Sequence, residues 1–233
     1  MDKVYSKLVI SLDNPTFSVI PYSHQYLVYS NLLKNIKEVD PSLSSNIHGA
    51  TVPLFVMSQL IPSGYCKFSK EGFYSKRVML ILSSRDENML KVLNSILSKG
   101  KYIDIGPTKL QIFSDKLFKI KISNSVVSLV TRSPVLLKDK NGKYVRYGEP
   151  LFEKLLIDSI ERKASKILGT KENIHGLNIV YGKPKLVRLN DIQLPCSIIK
   201  FVISCNEDIL QTILSTGIGK SPQLGFGMVD FND

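Results

Sequence analysis

The predicted elements occur in the same order in both halves of the chain, and this repetition constrains the fold most. The first half predicts a strand, a helix, two strands, a helix and strands, at 3–12, 23–39, 65–69, 73–83, 86–97, 102–105 and 109–113. The second half predicts the same order at 126–130, 149–168, 177–189, 198–204, 207–215 and 225–231. Each half reads β-α-β-β-α-β, so the sequence predicts an α+β fold of two tandem ferredoxin-like domains.

Hydrophobic periodicity and turn residues place these elements. A stripe at Tyr26, Tyr29, Leu33 and Ile36 has helical spacing, and Ser23 precedes it as a candidate N-cap. A short helix is predicted from Pro41 to Gly49, followed by a strand at 51–60 that Pro53 limits to an edge or bulge. Turns are predicted at Asn141-Gly142 and Asn190-Asp191.

The boundary between the repeats is predicted near 118–124, which gives domains 1–122 and 123–233. The first has 16 Lys and Arg against 9 Asp and Glu, and the second has 15 against 11. Both domains are therefore basic, and the net charge of +11 is not confined to a tail. A chain with this charge suits a polyanionic partner such as nucleic acid, although a solubilising lysine-rich surface would look the same.

Composition excludes several classes of protein. The longest apolar runs, such as 78–82, are far shorter than the roughly 18 residues that span a bilayer, and 1–7 lacks the apolar stretch of a signal peptide. The three cysteines form no CxxC pair, which disfavours a disulfide framework or a cysteine zinc site. We therefore expect a cytoplasmic protein with no membrane association.

A glycine-rich segment at 217–229 is the most specific motif, with Gly217, Gly219, Gly225 and Gly227 around Lys220, Ser221 and Gln223. Glycine permits positive φ and the close approach of another backbone segment. A segment with this many glycines would leave backbone N–H groups free to bind phosphate oxygens. A flexible helix-to-strand connection is the alternative. A P-loop is disfavoured because Leu214 stands at the first glycine position and Pro222 blocks the following helix.

The pattern G-x-G-x-x-x-x-x-G-x-G after two βαββαβ halves resembles the CRISPR-associated RAMP proteins, and most of all their Cas-six repeat-processing endoribonucleases. The segments 21–26, 182–185 and 224–229 are also similar to segments of that family. The resemblance implies binding of CRISPR repeat RNA and metal-independent cleavage without a cofactor. The implied products carry a 5′-hydroxyl and a 2′,3′-cyclic phosphate.

Such a reaction needs a general base and a general acid, and histidine suits both roles near neutral pH. Of His24, His48 and His175, only His48 lies where many family members place their catalytic histidine, just after the first helix. The alternative for His48 is a structural role at the end of the helix, where it would interact with free carbonyl groups. His24 is expected to cap a helix or to pack against its neighbours. Relatives with a Tyr-His-Lys trio would have tyrosine at Leu33 and lysine near Leu54. Lys34, Lys37 and Tyr29 lie nearby in sequence and could substitute, and of these we predict Lys34 as the second catalytic residue.

The predicted RNA contacts lie in one strand and in the glycine-rich segment. Lys183 and Lys185 share a face of the strand 177–189, which also carries Arg188. They join Gly217, Gly219, Lys220, Ser221, Gln223, Gly225 and Gly227 as predicted RNA-binding residues. Tyr22, Tyr26 or Tyr181 could stack on bases, although burial is the expected fate of most.

The family also contains members that bind repeat RNA and cleave it poorly. The alternative function is therefore a non-catalytic, repeat-binding RAMP subunit of a CRISPR effector complex. A third alternative is a basic structural domain without nucleic acid. Precursor CRISPR RNA is the expected partner, and association with a second copy or with an effector complex stays open.

Overall fold

The computed structural model describes residues 3–100, 102–106, 108–189 and 192–232, so the turn predicted at Asn190-Asp191 lies outside the described residues. The strands are β1 (Lys3–Asp13), β2 (Ile20–Pro21), β3 (Val56–Met57), β4 (Ile61–Phe68), β5 (Gly72–Ser84), β6 (Tyr102–Asp104), β7 (Lys109–Ile122), β8 (Val126–Thr131), β9 (Leu137–Lys138), β10 (Tyr144–Val145), β11 (Gly176–Leu189), β12 (Ile192–Ser204) and β13 (Val229–Phe231). The helices are α1 (His24–Val39), α2 (Pro41–Gly49), α3 (Glu87–Gly100), α4 (Phe152–Leu168) and α5 (Glu207–Thr216).

The first sheet has the strand order of a ferredoxin-like domain. Strand β5 pairs with β4 and β1, β1 pairs with β7, and β7 pairs with β6, all antiparallel. Leu8, Ile10 and Leu12 alternate along β1 and are fully buried. They share a core cluster with apolar residues of α1 and α3, such as Leu32 and Leu93, so both helices cover one face of the sheet.

The second sheet repeats that order as β11-β12-β8-β13. Its core combines Ile199 and Phe201 of β12 with Leu156 and Ile160 of α4 and with apolar residues of α5. Local signals define both helices: Gly169 ends α4 at φ 75°, and the Asn206 side chain accepts a hydrogen bond from the N–H of Ile209 at the start of α5. The predicted tandem ferredoxin-like fold is confirmed.

The two repeats pack directly against each other. The N–H of Gln59 donates to the carbonyl of Arg132 over 3.1 Å. The Gln25 side chain donates to the carbonyl of Gly225 over 2.8 Å, and Lys7 forms an ion pair with the buried Asp230. Strand β7 belongs to the first sheet as far as Ile122, and the division into 1–122 and 123–233 stays a prediction.

Some predicted strand bounds are wrong. Within the strand predicted at 51–60, only Val56–Met57 pairs with β5. Strand β7 continues nine residues beyond the predicted end at Phe113, because β1 pairs with it as far as Ile122. The final strand begins at Val229 rather than 225, because Gly225 and Gly227 have φ of 81° and 65°, outside the strand region.

No helix within the described ranges is long and apolar enough to cross a bilayer.

Candidate functional site

His48 lies in the last turn of α2 with its side chain exposed. Asp40 caps the N-terminus of this helix, because its carboxylate accepts a hydrogen bond from the N–H of Leu43 over 2.9 Å, and Ile47 packs in the core. Lys34 is exposed on α1. Over the residues that the structure describes, neither His48 nor Lys34 makes a side-chain hydrogen bond or an ion pair, so no direct bond couples the two predicted catalytic residues.

The other two histidines have different environments. His24 is buried, with its Nδ1–H donating to the carbonyl of Pro21 over 2.7 Å and its Nε2 accepting from the N–H of Leu60 over 3.0 Å. Burial lowers the pKa of His24 to about 4, so the ring is neutral near pH 7. This packing role was predicted. His175 is exposed immediately before β11.

Leu33 and Leu54, the two positions at which further catalytic residues were expected, lie in different environments. Leu33 packs against the first core from α1. Leu54 is 37 % exposed in the segment between α2 and β3. Neither side chain can transfer a proton, so any second catalytic group must come from elsewhere.

The glycine-rich segment follows α5 and packs between the two domains. A Cβ on Gly217 would lie 2.8 Å from the carbonyl oxygen of Gly227, and one on Gly227 would lie 1.8 Å from that of Ile218. Both residues also have positive φ, so the tight reversal of the chain requires glycine at both positions. Gly225 approaches Gln25 and Met57 of the first domain.

The expectation of free glycine N–H groups is wrong for all four glycines. Their N–H groups donate within the protein, to the carbonyls of Ile213, Pro222 and Pro134 from Gly217, Gly225 and Gly227, and to the Ser159 hydroxyl from Gly219. The N–H of Lys220 likewise donates to the carbonyl of Leu136. The glycines therefore shape the segment, and its exposed chemistry comes from the Lys220 side chain and the half-buried Ser221 and Gln223.

A cavity of about 230 Å³, which we call the basic pocket, lies beside this segment. It is lined by residues of three parts of the chain: Thr51, Val52, Pro53, Ser159, Arg162, Lys163, Lys166, Gly219 and Lys220. The lining contains four cationic side chains and no carboxylate. Asp139 and Asp158 line a neighbouring cavity that shares Arg162 and Lys220 with it. The pocket can attract an anion such as a phosphate group.

Lys163 is the most constrained of these cations. Its Nζ donates to the carbonyls of Thr216, over 3.3 Å, and Gly217, over 2.6 Å, at the C-terminal end of α5. A cation is favoured at that end of a helix because the free carbonyls carry partial negative charge. Burial lowers the pKa of Lys163 to about 7, and the charge of Lys220 adds to this effect.

The predicted contacts in β11 do not line the basic pocket. Lys183 is exposed, whereas Lys185 is half-buried and donates to Gln59 Oε1 over 3.0 Å across the domain interface. Burial lowers the pKa of Lys185. Arg188 is exposed on the opposite face of the strand, as its odd spacing from Lys185 requires. The predicted RNA-binding residues thus fall into two regions, one at Lys220 and one at Lys185.

Sequence reasoning missed Arg162, Lys163 and Lys166. The run 161–166 of α4 carries all three, and their one- and four-residue spacing puts them near one face of a helix. That charge run was the available signal. Its meaning depends on the bond from Lys163 to Gly217, which joins residues 54 positions apart.

Comparison with known proteins places the chain in a family. The model described as "CRISPR associated protein Cas6, C-terminal" matches residues 113–231, and "CRISPR-associated protein Cas6, N-terminal" matches residues 19–112. Together they cover most of both domains. The chain belongs to the Cas6 family.

Individual relatives are similar over nearly the whole chain. A protein of Pyrococcus horikoshii named "Putative CRISPR-associated endoribonuclease-like protein Cas6nc" is 22% identical over 97% of this chain and 98% of its own length. "CRISPR-associated endoribonuclease Cas6 1" of Methanocaldococcus jannaschii is 24% identical over 96% and 91%. The solved structure titled "An RAMP protein binding different RNA substrates" aligns with a TM-score of 0.84 at 21% identity, over 98% of this chain and all of that one.

Proposed function

We propose that the protein binds precursor CRISPR RNA at its repeat and cleaves it without a metal ion. One observation carries this proposal: residues 51–53, which follow the His48 turn, lie across the basic pocket from Gly219 and Lys220. The segment that follows the predicted catalytic residue His48 therefore lines the same cavity as the glycine-rich segment, although His48 and Lys34 are not among the lining residues. The curated relatives named as CRISPR-associated endoribonucleases support the class of reaction.

The proposed reaction is an internal transfer of the phosphate. A general base removes the proton of a ribose 2′-hydroxyl, and the 2′-oxygen attacks the adjacent phosphorus. The bond from phosphorus to the 5′-oxygen breaks, and a general acid protonates that oxygen. The products are a 2′,3′-cyclic phosphate and a 5′-hydroxyl, and no water is consumed. His48 acts as base or acid, and Lys34 is the proposed second group.

The cations of the basic pocket have a distinct part in this scheme. The attacked phosphate gains negative charge in the transition state, and prearranged donors stabilise such charge best where water is restricted. Lys220 projects from the glycine-rich segment, and Lys163 is already held by two carbonyls. We assign both to the phosphate, with Ser221 and Gln223 beside them. Lys183, Lys185 and Arg188 would hold RNA outside the reacting centre.

A second function, repeat binding without cleavage, is favoured by the surroundings of His48. Within the described part of the chain no side chain hydrogen-bonds to its ring, so nothing fixes its tautomer before RNA binds. Leu33 and Leu54 supply no substitute. In this case the chain would serve as an RNA-binding subunit, alone, as a dimer or in an effector complex.

The chemical groups at the ends of the RNA product distinguish cleavage of the repeat from binding without cleavage. Labelled repeat RNA is incubated with the protein in EDTA, alongside the same RNA with a 2′-deoxy nucleotide at the cleavage position. The proposal predicts a 2′,3′-cyclic phosphate product from the first RNA and none from the second. Cleavage of the 2′-deoxy RNA, or activity that EDTA abolishes, would contradict the mechanism. Tight binding without product would establish the second function.

A further inference from the structure

A second cavity, of about 160 Å³, lies between the β4–β5 hairpin and the second domain and shares no lining residue with the basic pocket. We call it the aromatic pocket, lined principally by Tyr22, Gln59, Pro62, Phe68, Phe73 and Lys185. It is smaller than the roughly 300–1,000 Å³ of pockets for drug-sized ligands, so it has room for a ring rather than a whole ligand.

Contacts within the protein form the walls of the aromatic pocket. A Cβ on Gly72 would lie 2.0 Å from the carbonyl oxygen of Ile20, so glycine there lets β2 approach β5 closely. This approach brings Tyr22 to the hairpin, where its hydroxyl donates to the carbonyl of Ser69 over 3.0 Å. The rings of Phe68 and Phe73 are 6.4 Å apart, so the hairpin itself supplies two walls.

The aromatic side chains at the mouth are unusually open to solvent. Phe68 is 68% exposed and Tyr22 is 43% exposed. Burial, the fate expected of most of Tyr22, Tyr26 and Tyr181, is wrong, because all three are exposed. An exposed ring beside a cavity leaves a flat apolar face available for stacking, and every nucleobase offers a matching face.

The polar groups of the aromatic pocket are hydrogen-bond donors. Lys185 uses one of its three Nζ–H groups on Gln59 Oε1, which leaves its other donors and the Gln59 amide NH₂ for a ligand. The other polar ring, His24, has both nitrogens engaged by the backbone. Donors pair with carbonyl oxygens, which uracil presents at two positions. Adenine accepts only at ring nitrogens, and its N6 amino group is a donor that would face the donors of the pocket.

We propose that the aromatic pocket binds one unpaired base of the RNA, stacked on Phe68 and Tyr22, with a preference for uracil over adenine set by Lys185. The proposal rests on RNA being the ligand of this protein, and not on cleavage. Exposed Lys67 and Lys70 flank Phe68 in the hairpin, which suits the phosphates on either side of a captured base.

Binding of labelled U10 and A10 oligoribonucleotides to the full chain, followed by fluorescence anisotropy, tests the proposal. The wild type should bind U10 more tightly. Phe68→Ala should weaken U10 binding by about 5- to 150-fold, because stacking of a base on an aromatic ring is worth that much. Phe68→Tyr should retain binding, and Lys185→Met should reduce the preference for U10.

The matched control is Phe113→Ala, which removes another exposed aromatic ring of the first domain that lies outside the pocket. It should leave U10 affinity unchanged. Crosslinking of 4-thiouridine RNA, read by mass spectrometry, should map to Phe68 or Tyr22. Equal affinities for wild type and Phe68→Ala, or crosslinks elsewhere, would overturn the proposal.

Other outcomes separate this proposal from the function above. If Phe68→Ala weakens U10 binding while the wild type fails to cleave repeat RNA, the aromatic pocket stands and the cleavage proposal fails. If the wild type cleaves and Phe68→Ala binds normally, the pocket proposal fails alone. If Phe68→Ala instead converts a dimer to a monomer with unchanged RNA affinity, the pocket is a contact between copies and the proposal is wrong.

Discussion

The basic pocket and the aromatic pocket lie in the same chain and differ in chemistry. Four cationic side chains line the first, together with residues 51–53, Ser159 and Gly219, whereas aromatic rings and a single lysine dominate the lining of the second. A phosphate carries no sequence information, but an unpaired base does. We therefore expect the basic pocket to contact the RNA backbone and the aromatic pocket to select which nucleotide of the RNA is bound.

The glycine-rich segment lines the basic pocket through Gly219 and Lys220, and Gly225 packs against Gln25 and Met57 of the first domain, so a change in its backbone should destabilise the fold. Gly227→Ala places a Cβ at 1.8 Å from the carbonyl oxygen of Ile218 at positive φ. We expect a loss of about 3–5 kcal/mol in the free energy of unfolding, measured by urea denaturation. Gly142→Ala is the control, because its φ is also positive but its Cβ would meet nothing; it should lose about 1–2 kcal/mol. Equal losses would show that the close approach is not limiting.

Removal of a cation from the basic pocket should change the salt dependence of RNA binding. Lys220→Ala should weaken binding to repeat RNA roughly tenfold at low salt. It should also reduce the slope of log affinity against log salt by about 0.7, as for one phosphate contact to a single strand. Phe68→Ala should leave that slope unchanged. Lys99→Ala, an exposed lysine at the end of α3, is the control, and an equal effect there would remove the distinction between the regions.

Lys163 should make RNA binding sensitive to pH. Its pKa is about 7 in the free protein, and a phosphate in the basic pocket would raise it, so binding takes up a proton. Affinity should therefore fall as pH rises through 7 toward 8.5, while Lys163→Met should show a shallower decline. Comparison of the wild type with Lys163→Met separates the contribution of Lys163 to the pH dependence from those of Arg162, Lys166 and Lys220. Parallel pH curves would mean that no phosphate reaches it.

The smallest expected effect concerns the Tyr22 hydroxyl. Tyr22→Phe removes the exposed hydrogen bond to Ser69 and keeps the ring, so it should cost about 0.5 kcal/mol in stability. U10 affinity should change less than twofold in anisotropy titrations. A larger loss of affinity would show that the hydroxyl, and not the stacked ring, contacts the RNA.

The fold was predictable because its signals are local, and the site was less so because its contacts are not. The repeated element order is written in consecutive residues. The stripe predicted for α1 is only partly right, because Tyr29 and Ile36 are buried whereas Tyr26 is 39% exposed, and Leu32 rather than Leu33 is fully buried. The segment 51–60 looks like a strand, yet the N–H of Leu60 bonds to His24 and Pro53 lines the basic pocket. Lys163 lies in a predicted helix, but its bond to Gly217 exists only in the folded chain. The N–H groups of the glycines, which were expected to be free, donate to other groups of the folded protein.

The assignment of His48 to the chemistry is tested most directly by cleavage rates in single turnover, with repeat RNA fully bound. His48→Ala should lower the rate by about 10²- to 10⁴-fold and leave RNA affinity nearly unchanged. His175→Ala, which removes the other exposed histidine, should cleave at the wild-type rate. Equal rates for His48→Ala and wild type would contradict the account.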